Sequence, residues 1–189
     1  MMKNIILGIF FIMVTQAQVS ETKAVDFIKS KLQFRKYVSG PAQFDLMAFT
    51  NPSVAPTLLE CLQIGRRRED NNPVRYFIIE KLGEFKYKPA KKTLLAVIDD
   101  KEDPWWVKSV ALKALLQIGY HNITFYLNML EVENIMIQKR AMIALQTITK
   151  KNKYITMASS LERVKIMRKN WQNLGRKYKK KRQSKKGKK

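Results

Sequence analysis

The chain has 189 residues, 37 Lys+Arg against 15 Asp+Glu, a formal charge of +22 and 46% hydrophobic residues. That composition supports a real core and excludes wholesale disorder, and the length suits one compact domain or a short array with tails. A single cysteine, a single histidine and only 7 glycines exclude an internal disulfide, a cysteine-based zinc cluster, two-histidine metal sites and glycine-rich phosphate loops.

Residues 1–17 read as a signal peptide. Lys3 precedes an unbroken apolar run from Ile5 to Val14, and the small residues Thr15 and Ala17 come before a polar stretch opening at Gln18. The run is about half of the ~20 residues needed to cross a bilayer. The expectation is cleavage between Ala17 and Gln18 and an exported (periplasmic or secreted) protein. The alternative is a cytoplasmic protein whose first helix packs on the core. Export leaves Cys61 without an internal partner, and its setting, Leu58-Leu59-Glu60-Cys61-Leu62, predicts a small buried hydrophobe.

Residues 18–50 carry two helical candidates, Ala24 to Leu32 and Phe44 to Phe49 after Gly40-Pro41, assigned as N-terminal capping helices. Residues 51–150 contain an internal repeat. Val74–Phe85, Val107–Gly119 and Ile137–Ile148 align without gaps, with anchors 33 and 30 residues apart. Apolar or small residues recur at offsets 4, 8 and 11 from each anchor, which is one face of an amphipathic helix. Offset 7 holds Ala114 and Ala144, letting helices approach closely, but Lys81 in the first copy. Each copy follows another helical stretch: Pro56 to Leu62, Pro89 to Ile98, and Ile123 to Leu130. Asn72-Pro73 and Asp103-Pro104 each place a capping side chain before a proline at the helix start.

These segments, the second copy from Asp103 to Gly119 above all, resemble the HEAT repeat family in its short bacterial type. The resemblance implies an all-α fold, an α-solenoid (α-α superhelix) of about three HEAT-like hairpins between capping helices, acting as a binding surface or scaffold. It also implies side-chain ladders between successive copies, drawn from Arg75, Lys108 and Arg140 with Asp70, Asp103 and Asn134.

Residues 151–178 follow as a basic amphipathic helix. Ser159-Ser160-Leu161-Glu162 is a capping-box signature, and Val164, Met167, Trp171, Leu174 and Tyr178 form a heptad-like stripe. The other face carries Arg163, Lys165, Arg168, Lys169, Arg176 and Lys177. Residues 179–189 are expected to be a disordered basic tail with Lys179, Lys180, Lys181, Arg182, Lys185 and Lys186. From Glu162 onward there are 14 Lys+Arg and one acid, +13 in all, leaving +9 for the rest of the chain. These cations are the polyanion-binding candidates. The helix itself reads first as a cap on the last hairpin; the alternatives are a membrane-surface helix or a partner helix.

Trp105 and Trp106 are the partner-contact candidates. Neighbouring side chains on a helix point about 100° apart, so one ring is expected in the core and the other at a surface. The acids from Asp99 to Asp103 are expected to favour and cap the next helix rather than bind a cation. Asn122-Ile123-Thr124 fits a glycosylation acceptor. His121 has no visible base or orienting partner, so no catalytic residue, cofactor, metal or small-molecule substrate is expected. The reading is an exported non-enzymatic HEAT-like scaffold or adaptor that binds a protein partner, with its basic end for an anionic envelope or membrane surface. The alternative is a cytosolic nucleic-acid-associated HEAT-like protein.

Overall fold

Apolar residues spaced three and four apart fold as helix after helix, and no strand occurs among the described residues. A computed structural model describes residues 21–33, 36, 38, 40–64, 72–150, 169, 173 and 176. Eight α-helices follow one another among them. They are α1 (residues 21–33), α2 (Gly40–Ala48), α3 (Ala55–Ile64), α4 (Asn72–Glu84), α5 (Lys91–Asp99), α6 (Trp105–Gln117), α7 (Ile123–Met129) and α8 (Ile135–Thr149). Short 3-10 turns, Pro52–Val54 and Lys88–Ala90, lead into α3 and α5. The protein is all-α in this sense, and no helix among the described residues is long and apolar enough to cross a membrane.

Short polar side chains set the starts. Asn122 Oδ1 accepts from Phe125 N ahead of α7, and Asn134 Oδ1 accepts from Met136 N and Ile137 N ahead of α8. α4 and α6 end in the same closure. Tyr87 N donates to Leu82 O at 3.0 Å and Lys86 N to Gly83 O at 2.9 Å; Tyr120 N donates to Leu115 O at 2.9 Å and Gly119 N to Leu116 O at 3.1 Å. That closure needs one left-handed residue, supplied by Gly119 (φ +88°) after α6 and by Lys86 (φ +52°) after α4.

α3, α5 and α7 each pack on the helix that follows, while α2 packs on α4, α4 on α6 and α6 on α8. Three contacts give the direction of α4 and α6. Arg75, early in α4, bonds Asp103 just ahead of α6; Glu80 holds Lys113 Nζ at 2.7 Å; Gly83, late in α4, lies against Ala114 and Gln117, late in α6. The two helices are therefore parallel, with α5 returning between them. It follows that the α4–α5 and α6–α7 turns share one end of the domain. The α5–α6 and α7–α8 connections share the other.

The seam between α4 and α6 depends on missing side-chain atoms. A Cβ on Gly83 would fall 2.8 Å from Ala114 Cα and 2.9 Å from Ala114 Cβ. Ala111, Ala114, Ala141 and Ala144 are all buried, as the alanine spacing predicts. Lys81 is buried at the position the other copies give to alanine. Its Nζ donates to Phe49 O at 3.0 Å and pairs with Glu84 at 2.8 Å. Phe49 directly follows α2, so a cation at its carbonyl satisfies a backbone acceptor and favours the helix's negative end. α1 buries Val25, Ile28 and Leu32, and its Glu21 carboxylate accepts from Thr50 N (3.0 Å) and Asn51 N (2.9 Å).

The proposed cleavage pair Ala17 and Gln18 lies outside the described residues. So do Arg66 to Asp70, the capping box at Ser159, and all the C-terminal polyanion candidates except Lys169 and Arg176. These two are helical and exposed, as is Asn173 between them.

Candidate partner-binding cleft

Because α6 and α8 begin at the same end, the residues just before their anchors come together. Trp105 and Trp106 precede Val107 as Ile135 and Met136 precede Ile137. The two tryptophans part as the helical geometry requires. Trp106 is half-buried, with its ring 6.0 Å from that of Tyr76, whereas Trp105 is 47% exposed. Ile135 and Met136 are exposed as well, at 39% and 37%. A cleft of about 280 Å³ opens here, lined by Ile98, Asp99, Trp105, Lys108, Met129, Val132, Asn134 and Ile137. Large apolar groups held in water at one place mark a contact surface more often than chance exposure does.

The connections that bound the cleft are acidic. Asp99, Glu102, Glu131 and Glu133 are exposed around it, and no cation pairs with Asp99, Glu102 or Glu133 among the described residues. Asp100 Oδ1 accepts from Glu102 N at 3.0 Å, folding the first connection on itself. Lys108, in the lining, and the exposed Lys101 are the neighbouring cations.

Asp103 departs from its expected role as a cap. α6 opens at Trp105, so the capping place belongs to Pro104, which makes no side-chain cap bond. Asp103 lies one residue too early and turns inward, where both its oxygens accept from Arg75 Nη2 at 2.9 and 2.8 Å. Arg75 Nη1 also donates to Leu62 O at 3.3 Å, in the last turn of α3. With Arg75 2% and Asp103 8% exposed, this fork ties three elements together. It joins one of the side-chain pairs that the resemblance noted above implies. Asn134 instead caps α8, Lys108 and Arg140 form no such pair among the described residues, and Asp70 and the Asn72 side chain fall outside them.

The remaining candidates are separate from the cleft. His121 is exposed at the α6–α7 turn, and the exposed Asn122 donates from Nδ2 to the Tyr120 hydroxyl at 3.1 Å. No three His, Cys, Asp or Glu side chains gather at one point among the described residues. Cys61 is fully buried, and burial pushes its thiol up to about 12. Little thiolate exists at neutral pH, so the folded protein is expected to resist a thiol reagent that modifies the unfolded chain at once. The raised value also fixes a sign. The unfolded thiol ionises near pH 9 and the folded one near 12, so stability present below pH 9 is lost as pH rises between them. The stability gap between the native chain and Cys61→Ala is expected to narrow over that range, by up to about 1.4 kcal/mol per pH unit, in denaturant titrations at several pH values.

Sequence reasoning marked Trp105 but missed Ile98, Met129 and Val132 in the lining. It also missed the exposed Ile135 and Met136, whose signal was positional: they stand before the third anchor as the tryptophans stand before the second. Compared with protein-family models, curated proteins and solved structures, the chain matches none.

Proposed function

We propose that the chain is an exported, non-enzymatic scaffold or adaptor of the HEAT-like α-solenoid type, which holds a protein partner at the Trp105 cleft. Support for the architecture comes from the parallel course of α4 and α6, the interposed α3, α5 and α7, and contact between successive pairs in chain order. The observation that carries the binding role is the exposed Trp105 in the lining of an apolar cleft with an acidic rim, with Ile135 and Met136 exposed at the same end of the domain. A fitting partner offers an apolar anchor flanked by lysine or arginine. Burial of the anchor supplies most of the affinity, and the opposite charges supply orientation and speed of encounter. The basic C-terminal segment holds the protein at an anionic surface.

The test is capture of partners from an envelope fraction at two salt concentrations, followed by affinity measurement on the purified complex. Trp105→Ala is expected to weaken binding at least about tenfold with an unchanged melting temperature, since the ring is half in water. Trp106→Ala is expected to lower the melting temperature instead. Affinity indifferent to Trp105 would overturn the proposal. The alternative, a cytoplasmic HEAT-like protein associated with nucleic acid, draws on the same surplus of cations. Cytosolic protein with an intact Met1 would select it.

A further inference from the structure

At the end of the domain opposite the cleft, four lysines stand on one turn. Lys86, Lys88, Lys91 and Lys92 join α4 to α5, all are exposed, and no acid occurs between Glu84 and Asp99. None of the four makes an ion pair among the described residues; Lys91 Nζ lies 5.0 Å from the Tyr120 ring centroid. The acids near this end are already engaged, Glu84 with Lys81 and Glu21 with Thr50 and Asn51.

Three of the four lysines sit where local physics favours something else. Lys86 holds the left-handed position that Gly119 occupies in the matching closure of α6. Lys91 and Lys92 fall in the first turn of α5, where the helix end is positive and acids are preferred, and that turn contains none. The acids at the opposite end follow local rules better: Asp103 pairs with Arg75, and Asp100 closes its own turn. A set of costs concentrated at one corner, offset only by Lys91 over the Tyr120 ring, points to use rather than folding.

We infer that the α4–α5 turn is a docking site for an anionic phospholipid surface. All four cations are lysine, a compact point charge suited to a diffuse layer of headgroups, and none is the forked arginine that grips single phosphates. They protrude on a turn rather than line a cleft. Among the rings at this end, Tyr120 lies beneath Lys91, and Phe85 and Tyr87 are partly buried against the core, so no bare aromatic platform is present to stack nucleobases. The site belongs to the folded body and is independent of both the basic tail and the cleft.

The test uses the full chain and vesicles of phosphatidylcholine with and without phosphatidylglycerol, at about 0.1 M salt. A variant with Lys86, Lys88, Lys91 and Lys92 changed to Gln is compared with one in which Lys185, Lys186, Lys188 and Lys189 are changed to Gln. Both lose four charges. A lysine close to an anionic surface contributes about fivefold in affinity, so the turn variant is expected to bind at least tenfold more weakly than the native chain, a loss separate from and additive to that of the tail variant. An unchanged affinity in the turn variant overturns the inference. So does dependence on the four lysines seen with RNA but not with vesicles. Amine labelling of the native chain gives a second readout that needs no variant. The four lysines are expected to be protected by anionic vesicles while the exposed Lys101 at the other end stays reactive; uniform labelling would refute the site. Lys86→Gly is expected to raise the melting temperature by about 2 °C while weakening vesicle binding, and Trp105→Ala is expected to leave vesicle binding unchanged. The last comparison separates failure of this site from failure of the proposed cleft.

Discussion

Ala114→Glu is expected to abolish the cooperative folded state. Ala114 is fully buried in the α4–α6 seam, the most extensive helix contact among the described residues, and it faces Gly83 at a distance with no room for even a methyl group. A glutamate there would have to bury an unpaired carboxylate or force the two helices apart. The first costs several kcal/mol or more, and the second exposes the shared apolar face. Either is comparable to the whole ~5–15 kcal/mol stability of a domain. The measurement is helical circular dichroism through a thermal ramp, with Ala96→Glu as the control, since Ala96 is exposed on α5. Gly83→Ala grades the same effect. It gains ~1 kcal/mol of helix propensity but presses on the Ala114 backbone, and overpacking of ~1–3 kcal/mol is expected to leave it less stable than the native chain. A folded Ala114→Glu protein with an unaltered melting temperature would show that this seam is not the core of the domain.

The second large effect is expected at the Arg75–Asp103 fork. Removing either partner leaves a charge in a site that is at most 8% exposed, so Arg75→Ala and Asp103→Ala are each expected to cost ~3–5 kcal/mol. Removing both is expected to cost much less than the sum, because an apolar pair such as Arg75→Met with Asp103→Leu avoids the stranded charge. Arg75→Lys is expected to resemble the alanine variant more than the native chain, since an ammonium cannot span both carboxylate oxygens and the Leu62 carbonyl. Denaturant unfolding of the native chain, Arg75→Met, Asp103→Leu and the double variant forms a double-mutant cycle. A coupling near zero would mean that the fork does not join α4 to the α5–α6 connection energetically.

The helices themselves were legible because local spacing determines them. The three aligned segments became α4, α6 and α8, and the alanines at the seventh offset lie in seams. What stayed hidden depended on distant partners. A carboxylate before a proline can cap a helix or turn away from it, and at Asp103 the choice was made by Arg75, 28 residues earlier. Lys81 looked like a defect in an alanine pattern until the end of α2 supplied the carbonyl it answers. The tryptophan pair was expected to divide between core and surface, yet only the packing of Tyr76 against Trp106 decided which ring is which. The cleft could not be foreseen as a unit because its lining comes from α5, α6, α7 and α8 and the connections between them. The lysine turn was written openly as a stretch without acids, but the left-handed backbone at Lys86 emerges only from the closure of α4.

The alternation of helix direction sorts charge as well as shape. Lysines gather on the α4–α5 turn at one end, and Asp99, Asp100, Glu102, Glu131 and Glu133 on the connections at the other, so the body is electrically two-headed even before its basic extension is considered. A negatively charged plane would exert a torque on such a molecule: the lysine head is drawn in and the carboxylate head swung outward. Arrival at a surface and presentation of the Trp105 cleft to solution would then be a single event, achieved by rotation alone, with no hinge and no change of conformation.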